Sequence, residues 1–368
     1  MIWSRFDRSD WLCIAGMAGF ILALNVVGWA LLLLVIAPQN YDLGEAGVFG
    51  VGLGVTAFLL GARHAFDADH IAAIDNTTRK LVGEKKRARS VGFWFSLGHS
   101  TIVFGLCVLV GLGVQAVASQ IAADRSSQLQ QTTSLIGTLV SGVFLILIGL
   151  LNLLALLGIV RVLRRMRTGE IGEDALEHHL NNRGFLARVL GRVLRAVSRP
   201  GQMYLVGLLF GLGFDTATEL SLLVLAGGAA ALSLPWYAIL TLPVLFAAGM
   251  STFDAADGVF MSAAYSWAFR KPARKIFYNL TVTALSVAVA LIVGLIELMG
   301  LLADRLSSKS GPLAWIASLD LEHVGYIVVA LFVLTWLLAL AVWRFGRFEQ
   351  RWSAAVLPST ASTSGGRR

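Results

Sequence analysis

The chain has 368 residues, of which 57% are hydrophobic and 14% charged, with a formal net charge of +8. A soluble domain carries roughly a quarter of its residues as charged types, so this composition, with a mean hydropathy of +0.74, excludes an ordinary water-soluble fold. The basic residues fall in the connections between apolar runs, a pattern of membrane orientation rather than of nucleic-acid binding.

In chain order, apolar runs predict eight transmembrane helices at about 11–37, 47–77, 91–117, 133–160, 203–229, 232–256, 276–303 and 323–343. Each approaches or exceeds the roughly 20 residues needed to cross a bilayer. The first run follows Arg5 and Arg8 and is too long for a signal-peptide core, so it is read as a retained span. The connections alternate in charge. Residues 38–46 hold Asp42 and Glu45 and no basic residue, whereas 79–89 hold Arg79, Lys80, Lys85, Lys86, Arg87 and Arg89. The connection at about 161–202 carries nine arginines, and further basic groups follow the sixth and eighth spans. Placing every basic connection in the cytoplasm puts both termini there too.

The expected fold is therefore an all-α integral membrane protein. Residues 1–357 form one polytopic permease domain, and the Ser/Thr/Gly-rich segment 358–368 forms a disordered tail. Within the long connection, Phe185 to Ser198 repeats arginine at helical spacing and reads either as a basic interfacial helix or as a solvated linker. Cys13 and Cys107 stand alone in apolar runs, without a Cys-x-x-Cys, and read as packing residues.

A weak internal repeat also shows. Phe66-Asp67-Ala68 is echoed by Phe214-Asp215-Thr216, and Gly98-His99-Ser100-Thr101 by Gly249-Met250-Ser251-Thr252. The paired spans run in opposite directions, so an inverted repeat of spans 2–4 and 5–7 is expected, with a site near the midplane between the halves.

The chemistry concentrates at His64, Asp67, Asp69 and His70. Ionisable groups inside a bilayer are expensive and mark a site or a pathway. Imidazole with carboxylate suits nickel, cobalt, zinc or manganese and not copper(I). On an ideal helix His64, Asp67 and His70 share one face and Asp69 points elsewhere. The two histidines then lie about 9 Å apart along the axis. Either the helix is distorted here, or the histidines serve successive positions on a path. His99 in the third span reads as a ligand, or as a satisfied core residue if taken alone. Asp215, Thr218 and Glu219 in the fifth span, and Asp254 and Asp257 in the sixth, read as a cation path or supporting groups, or else as a structural ion-pair network. His178 and His179 read as solvated loop residues, and His323 as interfacial.

Four segments resemble the nickel/cobalt transporter family of secondary metal permeases. They are Arg63-His64-Ala65-Phe66-Asp67-Ala68-Asp69-His70-Ile71, Leu97-Gly98-His99-Ser100-Thr101-Ile102-Val103, Leu212-Gly213-Phe214-Asp215-Thr216-Ala217-Thr218-Glu219, and Gly249-Met250-Ser251-Thr252-Phe253-Asp254-Ala255-Ala256-Asp257. The resemblance implies high-affinity uptake of Ni(II), Co(II) or both across a bacterial cytoplasmic membrane, with His64, Asp67, Asp69 and His70 central. Ala255 departs from the threonine common in the family. Two positions linked there to metal preference correspond to Asn25, which resembles the nickel pattern, and Phe66, which resembles the broader one.

The sequence holds no phosphate-binding Gly-rich loop, so ATP is not expected as the driver unless a separate subunit supplies it, and no ATPase subunit is required. The metal is substrate, not cofactor, and the expected partners are the metal ion and the lipid bilayer, without nucleic acid. Three other readings share these residues, one of them a metal sensor that binds the ion without moving it. Residue chemistry does not fix the direction of transport, which leaves export open. An intramembrane zinc metallohydrolase would need a general base and a cleft, and no His-Glu-x-x-His occurs. Oligomeric state is not legible.

Overall fold

A computed structural model describes residues 7–42, 48–111, 128–167, 197–212, 234–268, 272–306, 310–319 and 321–345. Among these the chain is all-helical, and the sole β-type pairing is an isolated bridge between Asp42 and Val48. Among the described residues five helices are long and apolar enough to cross a membrane: Arg8–Gln39, Val91–Leu109, Leu135–Gly158, Trp236–Ser266 and Thr283–Arg305.

Helix α1 (Arg8–Ala30) starts at a reciprocal cap. Asp7 accepts from the Asp10 amide at 2.7 Å, and Asp10 accepts from the Asp7 amide at 3.0 Å. The helix is apolar around most of its girth and leaves Trp11, Leu12, Leu22 and Val26 on the outside, as a lipid-facing span does. Cys13 is on that outer face, so it is not the packing residue expected from sequence, while Cys107 is fully buried. The span continues through a π turn (Leu31–Ile36) and a 3-10 turn (Ala37–Gln39) and stops at Asn40 in the left-handed conformation.

The second span is not one helix. Helix α2 (Val51–His64) ends at His64 and α3 (Ala68–Gly83) begins at Ala68, with Asp67 extended at the N-cap. The continuous, ideal helix expected over 47–77 is therefore corrected to two shorter helices joined by a turn. Next come α4 (Val91–Gly111), α5 (Gln128–Arg167) and α6 (Met203–Phe210). They are followed by α7 (Trp236–Ala268), α8 (Pro272–Arg305), the short α9 (Pro312–Ala317) and α10 (Leu321–Phe345).

Helix α7 is the centre of the packing. It lies against α4, α2, α1 and α3, while α5 and α8 pair with each other and α6 lies on α4. Glycine sets these distances, because helices in a membrane associate through close backbone approach. A Cβ at Gly249 of α7 would meet the Phe58 carbonyl and Ala62 amide of α2, and one at Gly61 of α2 would meet the Phe246 carbonyl of α7.

The α4–α6 contact repeats this arrangement. A Cβ at Gly98 of α4 would meet the Tyr204 carbonyl and Leu208 amide of α6, and one at Gly207 of α6 would meet the Phe95 carbonyl of α4. Residues 58, 61 and 62 correspond at one constant offset to 204, 207 and 208, and 95 and 98 at another to 246 and 249.

Polar contacts group the helix ends. Arg89 Nη1 lies 2.7 Å from Asp10 and Arg87 Nη2 2.9 Å from Asp7, joining the start of α1 to the 84–90 connection. Lys80 Nζ donates to the Val197 carbonyl at 2.7 Å, which brings residue 197 to the same end. The hydroxyls of Tyr41 and Tyr237 meet at 3.2 Å, past the C-terminal end of α1.

Candidate metal centre

The turn between α2 and α3 builds the site. Phe66 N donates to the Arg63 carbonyl at 2.9 Å and Asp67 N to the His64 carbonyl at 3.0 Å. Asp67 then turns extended, and its own carbonyl restarts the ladder by accepting from Ile71 N at 3.2 Å. Aspartate is among the preferred residues at a helix N-cap. Packing fixes the turn: a Cβ at Gly325 of α10 would overlap the Phe66 carbonyl, and the Phe66 ring lies 5.2 Å from Phe253 and 5.8 Å from Tyr326. Ala65 belongs to the apolar cluster around α2 and α7, and Ala68 to the cluster around α3, α4 and α8. The break thus lies where the two cores meet.

The consequence is that His64 and His70 come together instead of standing apart along one axis. Their ring centroids are 4.5 Å apart, and His99 of α4 lies 4.7 Å from His64 and 4.9 Å from His70. All three side chains are buried, and one nitrogen from each lies within 4.8 Å of the others. Of the two alternatives left open by the sequence, the distorted helix is the one found.

Each end of the cluster is oriented by a carboxylate. His64 Nδ1 is 2.7 Å from Asp67 Oδ2, and His70 Nδ1 is 3.3 Å from Asp254 Oδ2 across the α3–α7 interface. A carboxylate on Nδ1 turns Nε2 of the same ring toward whatever the ring binds and raises its basicity. His64 Nε2 faces His99 Nε2 at 3.0 Å. His70 Nε2 is buried with no hydrogen-bond partner among the described residues.

Nitrogens bonded to one first-row metal at about 2.1 Å stand about 3.0 Å apart at right-angle coordination and about 3.4 Å at tetrahedral. The His64–His99 spacing matches the former. Three clustered imidazoles, one with a buried nitrogen that no described residue satisfies, suit a borderline divalent ion.

The other predicted residues divide. Asp69 is half-buried and bonds the His70 amide at 2.9 Å, standing beside the centre rather than in the ring cluster. Asp257 is half-buried one turn beyond Asp254, and its Oδ2 has no hydrogen-bond partner among the described residues. Phe66 faces the aromatic pair, not the rings of the centre. Asn25 turns its amide back to the Ile21 carbonyl of its own helix at 2.9 Å. Asp215, Thr218 and Glu219 lie outside the described residues, as do His178, His179, the 185–195 segment and the 358–368 tail.

Sequence reasoning missed two things here. The first is Asp254 as the direct partner of His70, a pairing of residues 184 positions apart. The second is that Arg79, grouped with the basic 79–89 connection, is buried inside α3 beside Asp75 and Asn76. The polar run Asp75-Asn76-Thr77-Thr78 was the available signal, since none of the four is exposed.

The comparisons with known proteins agree with this chemistry. The family described as high-affinity nickel-transport protein matches residues 50–342. The chain is 55% identical to the nickel transporter NicT of Mycobacterium tuberculosis, over 94% of this chain and 93% of that one. It is 43% identical to the nickel transporter NixA of Staphylococcus aureus, over 94% and 98%. It is also 41% identical to the cobalt transport protein NhlF of Rhodococcus rhodochrous, over 91% and 92%. No solved structure matches. On the extent of these matches, the chain is a multi-pass membrane protein that belongs to the high-affinity nickel-transport protein family.

Proposed function

We propose that this chain takes up Ni(II), Co(II) or both across the cytoplasmic membrane as a single-component secondary permease. The observation that carries the reading is the buried set of His64, His70 and His99, with ligand nitrogens within 4.8 Å of one another and Asp67 and Asp254 behind two of the rings. Nickel and cobalt relatives of nearly full length support the cargo. The ion loses its water to these imidazoles and passes on along Asp254 and Asp257, with Asp215, Thr218 and Glu219 serving the same path and Asp69 flanking it. A dication moving down the membrane potential gains about 4.6 kcal/mol per 100 mV, twice the single-charge value, which is enough to drive accumulation without a nucleotide.

The topology we propose has eight spans, cytoplasmic termini and an inverted repeat of spans 2–4 and 5–7. Its support is the interlocked packing in which α7 meets α2 through the same glycine pattern that joins α4 to α6. The ion pairs that hold Asp7 and Asp10 to Arg87 and Arg89 support a common side for the N-terminus and the 84–89 connection.

The test is radiolabelled nickel uptake at nanomolar concentration in cells lacking their own importers, with excess cobalt, zinc or manganese as competitors. Saturable uptake that cobalt inhibits and His64→Ala abolishes is expected. Uptake that is unchanged in a well-expressed His64→Ala variant would remove the histidine centre from the mechanism.

A further inference from the structure

Helix α10 reaches the metal centre from the edge of the protein. Among its described side chains the buried positions form one stripe, Gly325, Val328 and Phe332. Tyr326, Ile327, Leu331 and Leu334 are exposed, as on a peripheral span that faces lipid. Val328 and Phe332 belong to the apolar cluster around α3. Gly325 heads the stripe, where a Cβ would overlap the Phe66 carbonyl oxygen and stand 3.1 Å from the Ala68 amide nitrogen. The next residue, Tyr326, stacks on the Phe66 ring with centroids 5.8 Å apart. Two consecutive residues of α10 therefore hold both the backbone and the side chain of the turn between His64 and His70.

The turn has little to hold it from within. Ala65, Phe66, Asp67 and Ala68 include neither glycine nor proline, and alanine is the strongest helix former. Ala65 is helical, and Asp67 has φ −64° with ψ 144°, so at Asp67 only ψ departs from a helix. The Asp67 side chain makes no capping bond to α3 and turns instead to His64 Nδ1 at 2.7 Å. On an unbroken helix His64 and His70 would stand about 9 Å apart along the axis. In the broken one their ring centroids are 4.5 Å apart. The two imidazoles thus converge through a break that its own residues do not favour.

We infer that Gly325 is a positioning residue of the metal centre and that α10 is a clamp on it. With α10 seated, Gly325 keeps the Phe66 carbonyl in place, and His64 and His70 converge on the ion. When α10 moves outward, the turn relaxes toward the helical path, the two imidazoles separate and the ion is freed. This deepens the uptake reading given above and rests on it. An ion shared by His64 and His70 favours the same broken turn that a seated α10 favours, so each strengthens the other by the same factor. One buried stripe holds α10, so its outward movement disturbs less packing than movement of α7, which lies against α4, α2, α1 and α3.

The test uses the purified full-length chain, with equilibrium nickel binding and thermal unfolding, and with radiolabelled Ni(II) uptake in lipid vesicles. Gly325→Ala pushes α10 off the Phe66 carbonyl and is expected to raise the nickel dissociation constant about tenfold or more in a folded protein. Tyr326→Ala, which gives up the ring contact alone, is expected to raise it several-fold. Ala68→Pro builds the break into the chain. Proline suits the first position of a helix, and it drives the preceding residue to the extended conformation that Asp67 already has. This variant is expected to bind nickel within about twofold of wild type and to take it up about tenfold more slowly, because its histidines no longer separate. Added to Gly325→Ala, it is expected to restore nickel affinity. Leu334→Ala, on the exposed face of α10, is the control and is expected to match wild type. A merely structural contact would lower the unfolding temperature and gain nothing from Ala68→Pro. Nickel affinity within about twofold of wild type in folded Gly325→Ala would overturn the inference. So would wild-type uptake by Ala68→Pro, or an equal loss of affinity in Leu334→Ala. If Gly325→Ala or Ala68→Pro does not fold, Tyr326→Ala decides: a raised dissociation constant supports the clamp and an unchanged one overturns it. Failure of the uptake reading looks different: wild-type vesicles take up no nickel while the binding results stand.

Discussion

Asp67→Asn isolates the role of the carboxylate behind His64. Asp67 sits at the N-cap of α3 without a side-chain capping bond, so the replacement leaves the helix start intact. The carboxylate lies 2.7 Å from His64 Nδ1. A metal on Nε2 of that ring is then about 7 Å from the charge, across the imidazole and one metal–nitrogen bond. At an effective dielectric constant of ~20, a dication and a unit charge at that distance attract by about 5 kcal/mol. Asparagine keeps the shape and an acceptor oxygen, so part of this survives. Loss of a group that orients a metal-binding histidine costs about 10–100-fold in affinity, or about 1.4–2.7 kcal/mol. The expected result is a nickel dissociation constant raised within that range in the purified protein, measured by calorimetry, with the unfolding temperature unchanged. A dissociation constant within about twofold of wild type would refute the orienting role.

Three further outcomes follow from the packing and the caps. Gly207→Leu drives a side chain into the Phe95 carbonyl and is expected to destabilise the protein by about 3 kcal/mol or more, seen as a lower unfolding temperature in detergent. Gly105→Leu, where a Cβ meets nothing within 4 Å, is the control and is expected to cost under about 0.5 kcal/mol. Phe66→Ala removes the ring held by Phe253 and Tyr326 while leaving the three imidazoles, so it is expected to change the ratio of cobalt to nickel inhibition without abolishing uptake. Asp7 is held below the ordinary carboxylate range chiefly by the Ser9 hydroxyl, then by the Asp10 amide, against a small opposing effect of burial. A depressed carboxylate stabilises above its unfolded value and loses that contribution as pH falls through its folded one. Amide protection at Asp10 should therefore be flat between about pH 6 and 8 and fall only below about pH 4.

Much of the fold and of the site was legible in the sequence, for physical reasons that particular residues show. Apolar runs locate helices because an unpaired backbone is intolerable in hydrocarbon, and their expected limits fall close to those of α1, α4, α5 and α8. His64, Asp67 and His70 declared themselves because charge in such a run needs a function. The break between α2 and α3 was hidden, since Ala65, Phe66, Asp67 and Ala68 include neither glycine nor proline. It is imposed from outside by Gly325 and the Phe253–Tyr326 pair, and Asp67 as an N-cap was its only local sign. The pairing of His70 with Asp254 joins residues far apart in the chain, which periodicity cannot reveal. Arg79 was misplaced because charge alone assigns an arginine beside lysines to a loop. It is buried on α3, where it feels the charges of Asp75 on its own helix and Tyr265 on α7.

The central claim is that the transported ion is held by His64, His70 and His99 together. Nickel-edge X-ray absorption of the purified, nickel-loaded chain tests it most directly, with His64→Ala, His70→Ala and His99→Ala measured alongside. The account predicts imidazole scattering from three histidines in the wild type and from two in each variant. A wild-type spectrum without imidazole ligands, or one unchanged by all three substitutions, would contradict it.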